Sequence, residues 1–342
     1  MDRAAPLDGE QTDRRPVDGG AAGLRLSTLR LEQSGRVLTA RVDAPPFNYM
    51  TSAMQQDFIR LVEAVEHDAS VGAVVVTGAR PGRFITHFDI AQLSSEADGA
   101  AEISRAVARN LYRIVRAMMR SRGERLVARS FLKGLLAAAR FQDMALRLMY
   151  SPAVWIAAVN GPCGGGGLEL SVFFDIRVSA DRDASFGLPE LALGLTTSLG
   201  AQRLTQLVGH SRALEMMLEA RFYAPQEALE LGLVNRVVPA EDLLDIVQQM
   251  AERCARRPRK AVALQKQIFN DAHATSARAS LSQEAVAALM SISSPTTQAA
   301  TRRWVQMQEG TDGDSVFLTR PEPWTEGTAL DMNVPAGGPV PP

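Results

Sequence analysis

Two glutamates, 21 positions apart (190 − 169) and each set among apolar and small residues, are the groups in this sequence best placed to do chemistry. Glu169 follows four consecutive glycines, Gly164 to Gly167, in a loop opened by Asn160, Gly161 and Pro162. Glycines let main-chain N–H groups approach a ligand closely, and where they lead into a helix its unpaired N–H groups favour negative charge. Leu168, Leu170, Phe173 and Phe174 have helix-compatible spacing, which puts Glu169 in the first turn of that helix. Glu190 stands in Phe186-Gly187-Leu188-Pro189-Glu190-Leu191, directly behind a proline. Carboxylates from two loops beside an anion-stabilising backbone suit the removal of a proton from one atom and its delivery to another. Apolar surroundings raise at least one of their pKa values. A structural reading stays open beside the chemical one, with Glu169 stabilising a helix N-terminus and Glu190 paired with an arginine such as Arg203. Cys163, in the same loop, reads as a small residue beside the site, since no activating base for a thiolate is evident.

Several segments around these glutamates resemble the crotonase (enoyl-CoA hydratase/isomerase) superfamily. They are Ala158-Val159-Asn160-Gly161, Gly165-Gly166-Gly167-Leu168-Glu169-Leu170, Asp175-Ile176-Arg177, Phe186-Gly187-Leu188-Pro189-Glu190, Leu193-Gly194 and Gln202-Arg203-Leu204. The resemblance extends back through Val74-Val75-Val76-Thr77-Gly78 and the stretch from Arg83 to Ile90, and forward from Ala228 to Pro239, covering about two thirds of the chain. It implies an α/β fold, a spiral of repeated ββα turns with a C-terminal helical region that assembles a homotrimer or a homohexamer. It also implies an enzyme that adds or removes water at an α,β-unsaturated acyl thioester. The N–H groups of Phe88 and Gly166 would hold the thioester oxygen as it becomes an enolate, and Glu169 and Glu190 would hold the water. Preorganised donors of this kind are commonly worth a factor of ~100 to 1,000 in rate. No metal and no separate cofactor are implied, because coenzyme A enters as part of the acyl-CoA substrate. Keeping both carboxylates favours hydration over isomerisation alone. Isomerisation, C–C bond cleavage or a biosynthetic step on a carrier-bound or non-CoA substrate stays open, as does a non-catalytic oligomeric binding subunit.

Four departures from the family's pattern bear on that expectation. The loop usually written Ala-Gly-Ala-Asp is Thr86-His87-Phe88-Asp89, so a bulky residue supplies the first N–H. His87 is a pocket candidate, read either as a third proton carrier or as a residue capping the loop. The stretch from Gly194 to Arg203 is one residue shorter than usual and lacks a proline and paired glycines, leaving Thr196, Thr197 and Ser198 as possible hydroxyl donors, with Gly165 and Thr197 lining the pocket. Basic residues that often contact the nucleotide of coenzyme A are missing at Ala44 to Phe47 and at Ala91-Gln92. Lys260 and Lys266 lie in the region that reaches a nucleotide in relatives, with solvated helix charge as the alternative. Phe88 and Gly166 are 78 positions apart (166 − 88), farther than usual, and the excess is helical in pattern. Ile103, Val107, Leu111, Ile114, Val115 and Met118 are expected to share one face. Arg105, Arg109, Arg113, Arg116 and Arg120, continued by Arg122, Arg125, Arg129 and Lys133, make a positive run. That run suits a lid over the acyl pocket or a dock for an acidic carrier protein, or is simply solvated.

The elements that must position these groups follow from periodicity. With 342 residues, 46% of them hydrophobic, and a formal net charge of −1, the chain suits one large α/β domain with an appendage, and near-neutrality argues against nucleic acid. Leu24 to Asp43 alternates around Ser34-Gly35 as a hairpin, Ser52 to His67 reads as a helix, and residues 71–77, 154–159 and 175–180 read as strands. Helices are expected over 213–220, 225–231, 240–256, 258–272 and 279–308. The resulting division is a disordered leader at 1–22, a spiral core at 23–245 with the basic helical insertion at about 99–150, an oligomerising helical region at 246–315, and an extended or disordered tail at 316–342. No run reaches the ~18 apolar residues of a membrane span, residues 1–22 lack the apolar core of a signal peptide, and two cysteines make no disulfide framework. A cytoplasmic protein is expected.

Overall fold

The computed structural model describes residues 20–329, apart from 99, 120–123, 131, 272–273, 310 and 312–313. The strands are β1 (Leu29–Ser34), β2 (Val37–Val42), β3 (Ala73–Gly78), β4 (Val154–Val159), β5 (Pro162–Gly164), β6 (Ile176–Ala180), β7 (Ser185–Gly187) and β8 (Arg236–Val238). The first helices are α1 (Ser52–His67), α2 (Ile90–Ala97), α3 (Arg105–Met118), α4 (Glu124–Ala128), α5 (Lys133–Tyr150) and α6 (Gly166–Ser171). Next come α7 (Ala201–Val208), α8 (His210–Glu219), α9 (Pro225–Glu230), α10 (Leu243–Ala255) and α11 (Arg259–Asp271). The last are α12 (Ala274–Ile292), α13 (Pro295–Glu309), α14 (Val316–Thr319) and α15 (Glu322–Thr325).

Six strands form one sheet in the order β1-β2-β3-β4-β6-β8, antiparallel only between β1 and β2. Gly35, at φ 55°, closes that hairpin with Ser34 paired to Val37. β3 is buried along its whole length, as a parallel strand covered on both faces must be, and α10 lies across β2, β3, β4 and β6. Thr51 starts α1 by accepting the Met54 N–H at 3.3 Å. The helix expected over 279–308 is two helices, because Pro295 cannot continue α12 through Ser293-Ser294 but suits the first turn of α13. A second, two-stranded sheet, β5 with β7, was not evident in the sequence, whose glycine loop and Ser185–Gly187 segment carry no strand periodicity.

Loops leaving the C-terminal ends of β3 and β4 carry the candidate site, the usual place for ligands on a parallel sheet. Asn160 zips those two ends together: its Oδ1 accepts the Gly78 N–H at 3.0 Å, and its Nδ2 donates to Gly78 O at 3.2 Å and Arg80 O at 3.0 Å.

The insertion is helical as expected but faces differently. Ala108, Tyr112 and Val115 form the buried stripe of α3, packed with Leu136 and Ala139 of α5 and with Ala285 and Val286 of α12. Val107 and Ile114 are about half exposed on one flank of that stripe, and Arg105, Arg109 and Arg113 are exposed on the other. The reason is packing: α3 lies against both α5 and α12, which centres its buried stripe on small Ala108 rather than on Val107. Arg116 is paired with Asp143, and Arg105 donates to Gln283 at 2.9 Å, whereas Arg120 and Arg122 lie outside the described residues.

Both ends of the division need correction. Residues 20–22 are packed, with Ala21 buried and its N–H bonded to Asp68 Oδ2 at 2.7 Å; residues 1–19 lie outside the described part. The tail is ordered through residue 329, and Phe317 and Trp324, which fall in the expected extended or disordered tail, are each 3% exposed and packed on their own chain with Trp304 and Leu193. Their aromatic area finds a ready surface in α13, which periodicity alone does not reveal. Residues 330–342 lie outside the described part. Among the described residues no helix is long and apolar enough to cross a membrane.

Lys266 is buried rather than offered to solvent. Its Nζ donates to Asp175 Oδ2 at 2.8 Å and to Ala153 O at 3.2 Å, while the same carboxylate oxygen accepts the Trp155 N–H at 2.8 Å. This ties α11 to the starts of β4 and β6, and burial lowers the lysine pKa against the raising effect of Asp175. Replacing Lys266 by Ala leaves Asp175 without its cation and should lower unfolding stability on the order of 3 kcal/mol, read from thermal or urea unfolding. A change below about 1 kcal/mol would show the pair to be no more than a surface contact.

Candidate functional site

β5 and β7 decide the geometry. Cys163 pairs with Phe186, Gly164 with Gly187, and the Gly165 N–H donates to Gly187 O at 2.9 Å, so the two glutamate-bearing segments run side by side. Gly165 has φ +44°, a conformation that favours glycine, and a Cβ there would stand 2.8 Å from Glu190 Oε1. Gly167 passes so close to the preceding loop that a Cβ would meet Ile85 O at 2.0 Å. The chain therefore turns sharply into α6, and Glu169 sits in its first turn, as the spacing predicts.

Glu169 is 2% exposed. Its Oε1 accepts the N–H groups of Ser198 (2.7 Å) and Leu199 (3.2 Å), and Ser198 Oγ reaches Oε2 at 3.4 Å. Burial, and after it the charge of Glu190, push its pKa well above the usual carboxylate range against those two N–H bonds. Glu190 lies in the short 3₁₀ turn Pro189–Leu193. As a residue it is partly exposed, yet its Oε2 is inaccessible and has no hydrogen-bond partner among the described residues. Burial pushes its pKa up to about 7. Arg203, the suggested partner, instead donates to Val172 O at 3.3 Å and to Gln206 Oε1 at 2.9 Å. The purely structural reading of Glu190 therefore loses its ion pair.

The Phe88 loop stands opposite. Met50 N–H donates to His87 O at 2.8 Å and Asp89 N–H to Met50 O at 3.2 Å, and the Asp89 side chain caps α2 by accepting the Gln92 N–H at 3.0 Å. Because N–H and C=O oppose each other across a trans peptide, commitment of His87 O to Met50 turns the Phe88 N–H the other way. Gly166 is the first residue of α6, so its N–H has no intrahelical acceptor. The Phe88 ring lies flat against that start, 2.6 to 2.9 Å from where a Gly166 Cβ would be. The fold thus brings together Phe88, Gly165, Gly166, Glu169 and Glu190.

The other expectations divide. His87 is wholly buried, bonded through Nδ1 to Phe88 O (2.5 Å) and through Nε2 to Ser315 Oγ (2.7 Å); burial drives its pKa down to about 4. That is the bridging role, not that of a proton carrier. Cys163 is buried, 3.7 Å from Ser171 Oγ, with its thiol pushed up to about 12 by burial, which removes it as a nucleophile. Thr197 is 8% exposed, while Thr196 has a buried hydroxyl without a partner among the described residues, and Ser198 is the hydroxyl that reaches Glu169. Lys260 is exposed on α11, but Lys266, neutralised by Asp175, is not free for a phosphate.

Residues outside the motifs hold the 198–200 loop and the start of α7 beside Glu169. Gln142 of α5 donates to Ser198 O (2.8 Å) and Leu281 O (3.2 Å) and accepts from Tyr112 Oη of α3 (2.7 Å). Glu284 of α12 accepts the Ala201 and Gln202 N–H groups at 3.2 and 3.3 Å. A lone amide on the apolar face of α5, between Phe141 and Met144, was the one signal in the sequence; Glu284 had none.

Comparison with known proteins places the chain in a family. The sheet is open and mostly parallel, with the glycine loop at its strand ends, and the match to the enoyl-CoA hydratase/isomerase family model covers residues 132–310. The chain is 30% identical over 249 residues to the short-chain-enoyl-CoA hydratase of Clostridium acetobutylicum, covering 72% of this chain and 82% of that protein. It is 32% identical over 225 residues to the crotonyl-CoA hydratase of Syntrophomonas wolfei, covering 66% and 74%. Human mitochondrial delta3-delta2-enoyl-CoA isomerase superposes with a TM-score of 0.65 at 22% identity over 84% of this chain and all of that one, which speaks for the fold alone. The chain belongs to the enoyl-CoA hydratase/isomerase family and is an enzyme of the crotonase fold. The family-model match takes in Gly166, Glu169 and Glu190 but begins after the Phe88 loop and most of the insertion.

Two raised carboxyl pKa values make stability depend on pH with a definite sign. In the unfolded chain both groups ionise near 4.5; folded, they keep protons to higher pH, so the folded state binds more protons in between. The Glu190 contribution is complete below about pH 4.5 and is lost as pH rises through about 7, and that of Glu169 changes in the same direction. Glu190→Gln removes part of that loss, so its melting temperature relative to the parent protein should climb between pH 5 and pH 8. A difference that stays flat across this range would place the carboxylate in water.

Proposed function

We propose that this enzyme adds water to, or removes it from, an α,β-unsaturated acyl thioester through an enolate held by main-chain donors. The observation that carries this reading is the pair of neighbouring carboxyls at the start of α6: buried Glu169, and Glu190, whose Oε1 is 2.8 Å from where a Gly165 Cβ would stand, each held back from ionisation by burial. Neighbouring carboxyls with raised pKa values suit a division of labour in which one member serves as base while the other serves as acid. In hydration one glutamate takes a proton from water as its oxygen bonds to Cβ, the thioester oxygen takes up the charge, and the other glutamic acid delivers a proton to Cα. Phe88 and Gly166 N–H are the proposed donors to that oxygen. Coenzyme A is part of the substrate in this scheme, and no step uses a separate cofactor or a metal. The hydratase names of the two relatives support the same reaction class.

Changing either glutamate to Gln should keep the fold and lower hydration of an accepted substrate by at least ~100-fold, followed as loss of the conjugated thioester absorbance. Near-normal turnover in both variants would refute the assignment.

A second reading keeps the chemistry and changes the handle on the acyl group to an acidic carrier protein. It is favoured by the exposed arginines Arg109 and Arg113 on α3, Arg125 on α4 and Arg129 just after it, and by the loss of Lys266 as a phosphate contact. On this reading, reversing Arg109 and Arg113 to Glu lowers kcat/KM for a carrier-bound thioester by ~10-fold or more and spares the CoA thioester, since surface charge steers encounter. Equal effects on both substrates would remove it. For assembly we propose a homotrimer or homohexamer, supported by the exposed apolar Leu264, Ile268 and Phe269 of α11, with light scattering as the check. A cytoplasmic location fits its two unpaired cysteines.

A further inference from the structure

His87 is held on every side. Tyr49 stacks on its ring at 4.5 Å between centroids, and Trp304 and Phe317 meet it edge-on at 5.4 and 5.7 Å. Its two nitrogens have separate tasks. The carbonyl of Phe88 can only accept, so Nδ1 carries the hydrogen, and in the neutral ring Nε2 is then the acceptor. Ser315 supplies the proton to Nε2 from 2.7 Å, because its Oγ already accepts the Phe317 N–H at 3.3 Å. A directed chain results, running from the Ser315 hydroxyl through His87 to the Phe88 carbonyl.

The segment that brings Ser315 is itself fixed at both sides. Asp314 is ion-paired with Arg83 of the Phe88 loop, and Gln308 of α13 donates to Asp314 O at 3.3 Å and accepts the Val316 N–H at 3.0 Å. Ser315 is 1% exposed. Both peptides flanking Phe88 are thereby restrained: the one before it through His87 O and Met50 N, the one after it through His87 Nδ1 and Asp89 N. Together they set the direction of the Phe88 N–H and of the ring that lies over Gly166.

We infer that Ser315 is a positioning residue that acts through His87 to aim the Phe88 N–H at the thioester oxygen, so the C-terminal segment completes one half of the oxyanion site. This rests on the enolate reading proposed above. Neither residue touches the reacting atoms; the effect is on the geometry of a donor that must match the transition state, where small misplacements are costly.

The test uses the full-length protein with Ser315→Ala, and Ser315→Thr to restore the hydroxyl. Two readouts are paired. Hydrogen–deuterium exchange of the segment 84–90 needs no substrate and should quicken in Ser315→Ala and recover in Ser315→Thr. With an enoyl-CoA substrate, kcat should fall by ~10-fold or more in Ser315→Ala while KM moves by less than about threefold, the pattern of an interaction made in the transition state. The red shift of a bound aryl-conjugated enoyl-CoA, which reports polarisation of its carbonyl, should shrink in step. Ser315→Cys, of similar shape with a weaker S–H donor, takes the place of Ser315→Ala if the latter fails to fold. Unchanged exchange in the variant overturns the inference, as does an unchanged kcat in an active protein. If the parent protein neither binds nor turns over enoyl thioesters, the enolate reading and the catalytic half of this inference fall together, and the exchange result still decides whether Ser315 orders the loop.

Discussion

Burial of the Glu169 carboxylate is the constraint on which most of the surrounding structure depends. A charged group kept from water is costly unless its oxygens are matched by donors. Here the match comes from the Ser198 and Leu199 N–H groups, on a loop without a proline to stiffen it. That loop is steadied from outside, by Gln142 on one side and Glu284 on the other, and Gln142 is in turn held by Tyr112 of the insertion. The long helical insertion and α12 thus support the carboxylate through Tyr112, Gln142 and Glu284, and the insertion is docked on the body rather than hanging from it.

Glu190 is built the opposite way. Its Oε2 is inaccessible and has no hydrogen-bond partner among the described residues, and its charge opposes that of Glu169. Such an arrangement lowers stability at neutral pH, which is typical where a group is kept ready to exchange a proton. The two carboxylates differ because one faces a loop rich in N–H donors and the other faces Gly165, which presents no side chain at all.

The facing loop depends on contacts distant in sequence. Thr86-His87-Phe88-Asp89 carries a buried imidazole, and an imidazole needs partners for two nitrogens. Those partners are the Phe88 carbonyl and a serine 228 positions away, within an aromatic cluster completed by Trp304, Phe317 and Trp324. The bulk added at the loop and the ordering of the C-terminal segment are two sides of one packing solution.

Local patterns in the sequence determined much of this protein. The hairpin at Ser34-Gly35, the apolar strand Val154–Val159, the helix Ser52–His67 and the glycine run leading into a helix with Glu169 in its first turn all follow from near-neighbour propensities and periodicity. Residue types alone suggested Glu169 and Glu190 as a working pair, and the resemblance strengthened it, but nothing local says that two segments 21 positions apart run side by side. Tertiary structure decided the rest. The strands β5 and β7 are three residues each, too short for a period to register, and exist because they pair with each other. Lys266 looked like a surface cation until Asp175 met it, and Phe317 and Trp324 looked like a loose tail until α13 offered an apolar face. Polar partners such as Gln142, Glu284 and Ser315 lie up to 228 positions from the groups they serve. Hydrogen bonds across that separation depend on how whole elements pack, and a linear pattern carries no record of it.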